Sequence, residues 1–113
     1  MEHLAYEFKA RGGKAVFKNK FSIVGVVASG NLELMMEVKE LGGRCLFSID
    51  TAAAGFGTTW KAVIGDFMQR HQPANLQVSI NDNAASPAVV SLRLDQAIEA
   101  LTKEVNCHAV ENG

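Results

Sequence analysis

Leu76, Val78 and Ile80 alternate with Gln77, Ser79 and Asn81, the mark of a strand with one face buried and one face wetter. The same two-residue period runs through 32–38, where Leu32, Leu34, Met36 and Val38 alternate with Glu33 and Glu37. It returns at 44–50, where Cys45, Phe47 and Ile49 alternate with Ser48 and Asp50. A β-branched apolar run at 22–28 adds another strand, and Gly42-Gly43 supplies a hairpin connection. After a loop at 51–57 the period changes. Trp60, Val63, Ile64, Phe67 and Met68 share one helical stripe, with Thr58 or Thr59 as N-cap and His71-Gln72-Pro73 as the stop. A turn at 82–85 leads to Ser86-Pro87, an N-cap followed by proline at the first helical position, and Val90, Leu94, Ala97, Ile98 and Leu101 share a helical face. Val90, Leu92 and Leu94 also alternate with Ser91 and Arg93, so a short strand at 89–94 before a shorter helix stays open.

The order predicts an α+β fold, a single two-layer domain with a mainly antiparallel sheet of about four strands and two helices on one face. The domain is expected over 1–105, with an aperiodic, frayed tail at 106–113. A chain of 113 residues with 48% hydrophobic and 20% charged residues supports one core without disulfide or metal staples. Its longest apolar segments are about six residues, against the roughly 20 that span a bilayer, so no membrane segment is expected. A net charge of -1 speaks against a nucleic-acid binder and against a strongly acidic carrier. The charge is uneven: Lys9, Arg11, Lys14, Lys18 and Lys20 face only Glu2 and Glu7 in the first twenty residues, a solvated face or one that meets phosphates or an acidic partner subunit. Cys45 and Cys107 have no paired spacing and no leader precedes them, so they read as reduced thiols of a cytoplasmic protein.

Candidate chemistry is sparse. Ala28-Ser29-Gly30-Asn31 places a hydroxyl at the tip of the hairpin between the strands at 22–28 and 32–38, and Gly30 and Asn31 tolerate the positive φ of a tight turn. Nothing beside Ser29 resembles a base, and it lacks the strand-to-helix elbow of a nucleophile, so a triad with His71 and Asp82 is not expected. No catalytic set is assigned. His3 and His108 fall near the chain ends, and no spacing suits a metal. Gly55-Phe56-Gly57 precedes a helix but lacks the third glycine of a dinucleotide fingerprint. Cys45 is expected to be buried and inert. Ser29 therefore reads as a handle for modification.

Two segments carry a family resemblance: Val24-Gly25-Val26-Val27-Ala28-Ser29-Gly30-Asn31-Leu32-Glu33 and the run from Asp82 through Pro87 to Gln96. In content, order and separation they resemble the acyl-carrier (delta) subunits of malonate decarboxylase, over residues 1 to about 104. The resemblance implies that Ser29 carries a 2'-(5''-phosphoribosyl)-3'-dephospho-CoA arm through a phosphodiester. It implies a non-catalytic carrier of acetyl and malonyl thioesters. Its partners would be an acetyl/malonyl transferase subunit, decarboxylase subunits and the transferase that attaches the arm. Three positions depart from the family pattern: Asn31 stands in place of aspartate, and Ala28 and Ala84 in place of glycine. The alternatives are a citrate lyase gamma-type carrier and a structural or ligand-binding α+β module.

Overall fold

Leu4, Tyr6 and Phe8 point inward and alternate with outward His3, Ala5 and Glu7, which makes the start of the chain an edge strand, β1 (Glu2–Lys9). The computed structural model describes residues 1–10 and 17–103. The remaining elements are β2 (Phe21–Gly25), β3 (Asn31–Val38), β4 (Arg44–Thr51), α1 (Gly57–His71), β5 (Leu76–Asn83) and α2 (Pro87–Thr102). They form a two-layer α+β domain with five strands rather than about four, in the order β1-β4-β5-β3-β2. Only β4 and β5 run parallel, and the other neighbours are antiparallel. The connection through α1 explains the exception, because parallel neighbours need a crossover.

One sheet face is covered. Leu32, Leu34, Met36, Cys45, Phe47, Ile49, Leu76, Val78 and Ile80 meet Trp60, Ile64 and Phe67 of α1 and Leu94, Ala97 and Ile98 of α2. Phe47 joins the layers, standing edge-on to Phe8 at 5.8 Å and to Phe67 at 6.3 Å between ring centroids. Ser22 is buried because its hydroxyl donates to the Ala97 carbonyl at 3.0 Å, which docks β2 on α2.

Four expectations change. Gly42-Gly43 joins β3 to β4 but closes no hairpin, because β5 lies between those two strands and pairs with both. The strand expected at 22–28 stops at Gly25, whose φ of +80° turns the chain away, so Val26, Val27 and Ala28 lie outside it and exposed. Neither Thr58 nor Thr59 caps α1. The helix begins at Gly57 after Phe56, which gives no side-chain cap, and Tyr6 instead ties β1 to it by donating to the Gly57 carbonyl at 2.8 Å. His3 sits in β1 with Nδ1 2.6 Å from Asp50, rather than in a frayed end. The helix reading of 89–94 holds. Ser86 accepts from the Val89 amide at 3.3 Å, Pro87 opens α2, and no strand forms there. Cys107, His108 and the tail at 106–113 lie outside the described residues.

Candidate functional site

The β2–β3 connection is a loop with a tight turn at its tip. The Asn31 amide donates to the Ala28 carbonyl at 2.8 Å, and Gly30 has a φ of +73° that an L side chain adopts only with strain. Ser29 occupies the second position of this turn and is exposed, as are Val26, Val27, Ala28 and Gly30. No side-chain hydrogen bond among the described residues engages its hydroxyl, so Oγ is open to a reagent. The backbone behind it is anchored: the Gly30 amide donates to the Asn83 carbonyl, at the end of β5, at 2.8 Å. Asn31 does not share the positive φ; it opens β3, and its Oδ1 accepts from the Leu32 amide at 2.8 Å.

The base of the loop depends on Gly25. A side-chain carbon there would lie 2.1 Å from the Leu32 carbonyl oxygen, inside contact distance, so only glycine lets the two arms approach. Glycine within a β-branched run was the available sign of such a close approach. Arg93 of α2 crosses this base. Its Nε donates to Asn31 Oδ1 at 3.2 Å and its Nη1 to Gln96 Oε1 at 2.9 Å. Both acceptors are neutral, and no carboxylate of the described residues pairs with this guanidinium. Arg93 carried no signal of its own in the sequence, because beside Leu92 and Leu94 it reads only as the polar member of a pattern that fits a strand or a helix.

The neighbouring turn at 82–86 is built from side chains. Asp82 is buried, and its carboxylate is fully used: Thr51 Oγ1 donates to Oδ2 at 2.8 Å, the Ala84 amide to Oδ2 at 3.1 Å and the Ala85 amide to Oδ1 at 3.0 Å. This bonding holds Ala84 at a φ of +62°, a conformation that a non-glycine residue adopts only with strain. A cleft of about 340 Å³ opens beside it between the starts of α1 and α2, walled mainly by Phe56, Trp60, Val63, Pro87 and Val90.

The other candidate residues are engaged elsewhere. His71 Nε2 lies 2.9 Å from Asp95, and its ring packs on Phe67 at 4.9 Å, so His71 is engaged away from Ser29, while the Asp82 carboxylate is taken up by Thr51 and the Ala84 and Ala85 amides. Cys45 is fully buried, and desolvation pushes its thiol up to about 12 despite a hydrogen bond with the Leu76 backbone that acts the other way. Among the described residues no group of His, Cys, Asp and Glu is arranged for a metal ion, and no helix is long and apolar enough to cross a membrane.

The fold and site thus define a class: a small α+β domain that presents an exposed serine hydroxyl on an anchored turn beside a second turn organised by a buried carboxylate. The family described as malonate decarboxylase delta subunit (MdcD) matches residues 19–101. A malonate decarboxylase acyl carrier protein of Stenotrophomonas maltophilia (strain K279a) is 54% identical over 102 residues, covering 89% of this chain and 94% of the relative. One of the same description from Bradyrhizobium diazoefficiens is 46% identical over 103 residues, covering 91% and 97%. A chain in the crystal structure of a Pseudomonas malonate decarboxylase hetero-tetramer in complex with malonate superposes with a TM-score of 0.78 at 31% identity, covering 89% of this chain and 99% of that one. The chain belongs to the malonate decarboxylase acyl carrier protein (delta subunit) family.

Proposed function

We propose that this chain is the non-catalytic acyl carrier subunit of a cytoplasmic malonate decarboxylase, with Ser29 as the attachment point of a 2'-(5''-phosphoribosyl)-3'-dephospho-CoA arm. The observation that carries the reading is the free Ser29 hydroxyl on a turn anchored through the Gly30 amide. When bound, the arm supplies a thiol that holds acetyl or malonyl as a thioester, whose α-carbon is more acidic than that of the free acid.

The residues present suit such a group. A phosphodiester on Ser29 carries a negative charge, and Arg93 offers a guanidinium held only by neutral oxygens at the base of the same loop. Asn31, in place of the family's aspartate, is neutral, so it leaves the Arg93 guanidinium unneutralised and adds no like charge beside the phosphate. The chain's own work is mechanical and electrostatic. It fixes the anchor, complements the phosphate and delivers the tethered acyl group to the acetyl/malonyl transferase and decarboxylase subunits at an effective concentration of roughly millimolar. Burial of Cys45 leaves it unsuited to carry an acyl group, because its thiolate is disfavoured at neutral pH.

Incubating the unmodified chain with the attaching transferase and the activated arm, and measuring intact mass, tests the reading. The arm's mass should be added once and be absent from Ser29→Ala. Addition to that variant would move the site elsewhere. Arg93→Gln should load more slowly than wild type, with the deficit shrinking as salt screens the charge. A salt-independent deficit would make Arg93 a purely structural tie between α2 and Asn31.

A further inference from the structure

The cleft between the helix starts has apolar walls and a polar floor that asks for nothing. Thr51 and Asp82 satisfy one another and the Ala53, Ala84 and Ala85 amides, and the described residues leave no buried side-chain polar atom unpartnered. A ligand there is therefore held by its faces, not by hydrogen bonds into the floor. Trp60 is buried at the back and Phe56 stands 52% exposed at the mouth, two aromatic surfaces suited to a flat, weakly polar group whose edge stays in solvent. Its volume of about 340 Å³ lies in the range of small-molecule sites.

The cleft also shares a wall with the hairpin tip. Gly30 is hydrogen-bonded to Asn83, and the next residue, Ala84, lines the cleft. Ser29 is thus separated from that wall by two chain steps and one hydrogen bond, on the order of 10 Å. Both lie at one end of the sheet, where Asn31 pairs with Asn83.

Resting on the reading that Ser29 carries the phosphoribosyl-dephospho-CoA arm, we infer that this cleft is a purine-nucleoside site that holds the adenosine of the chain's own arm. From the serine outward, the arm runs through phosphate and ribose to the adenosine, and only then to the pantetheine. Its first flat, apolar-faced group is the adenine, about ten covalent bonds away and so on the order of 10 Å from the serine. The thiol lies much farther out. With the adenine stacked on Phe56 and Trp60, the mobile part of the arm shrinks to the pantetheine, which raises the effective concentration of the thioester at neighbouring active sites.

The test uses the full chain in two forms and reads the cleft by NMR and by the fluorescence of Trp60, the chain's single tryptophan. In the loaded form, with the arm verified by intact mass, adenine protons should show contacts to the Phe56 and Trp60 rings, and the Trp60 emission should change on stacking. In the unmodified form, adenosine monophosphate at roughly the millimolar concentration a tether provides should shift the amides of Phe56, Trp60 and Ala85. Phe56→Ala, a change at an exposed side chain, should weaken the adenosine effect about tenfold by removing one stacking surface. Cleft shifts with adenosine monophosphate and no loading at Ser29 would keep the nucleoside site and discard the attachment reading. Loading with unmoved cleft resonances, or contacts to the pantetheine methyls in place of adenine, would overturn the inference.

Discussion

The turn at 26–30 and the turn at 82–86 lie side by side at one end of the sheet, joined by the bond from the Gly30 amide to the Asn83 carbonyl. In the first, every residue is exposed and the bonds that hold its tip are main-chain ones. In the second, a buried carboxylate organises a hydroxyl and two amides, and a serine caps the helix that follows. A hydroxyl that must be reached gains nothing from side-chain partners, which would cover it. Its rigidity is borrowed from a neighbour whose polar groups face inward. Stability and modification should therefore respond to different residues.

The largest effect expected is the complete loss of arm attachment in Ser29→Ala, read by intact mass, with unfolding free energy changed by no more than about 0.5 kcal/mol. Asp82→Ala should do the reverse. It leaves a buried hydroxyl without its carboxylate partner, at about 1–3 kcal/mol, and removes the tie on two part-exposed amides that water can reach at a smaller cost, so urea unfolding should show a loss of about 2–4 kcal/mol while the Ser29 hydroxyl remains chemically available. If Ser29→Ala unfolds as readily as Asp82→Ala, the two turns are not separable.

Gly25 and Gly30 sharpen the contrast within one loop. Both have positive φ, but a side chain at Gly25 collides with the Leu32 carbonyl, whereas nothing lies within 4 Å of one at Gly30. Gly30→Ala should cost about 1–2 kcal/mol, the backbone strain alone, and Gly25→Ala measurably more. Denaturation midpoints of the two variants decide this, and equal losses would refute the close approach at Gly25.

The interior thiol extends the comparison from turn to core. Cys45 is held at about 12 in the fold against 9.0 when free, so the folded chain keeps its proton over a range where the unfolded chain loses it. Stability from this group is fully present below about pH 9 and declines as pH rises towards 12. Urea midpoints should fall across that window in wild type and fall less in Cys45→Ala. The smallest effect belongs to Asn31→Asp, which retains the oxygen that accepts from Leu32 and Arg93. Its stability should stay within about 0.5 kcal/mol, and its loading, followed by mass, should slow by no more than that of Arg93→Gln, because the new carboxylate pairs with the guanidinium.

The amino-acid sequence by itself determined β3, β4, β5, α1 and the later part of α2, because each carries a complete period of its own or a local start or stop signal, whereas 89–94 fitted a strand as well as a helix until packing decided it. It also located Ser29 on a turn and identified Gly30 as a residue able to take positive φ, since both follow from neighbours in the chain. The alternation of Leu4, Tyr6 and Phe8 was equally visible, but its meaning depended on a partner strand about forty residues away, to which Glu2 through Lys9 pair in register. Tertiary structure alone decided that Gly25 ends β2, because the obstacle is the Leu32 carbonyl across the hairpin. It alone brought Arg93 over the loop base and placed Thr51 against Asp82, thirty-one positions apart, to build the cleft floor. Periodicity reports which side of an element is buried. It cannot report which distant side chain arrives there, since that is set by the packing of helices on the sheet, where a polar group is kept only if another segment supplies its partner.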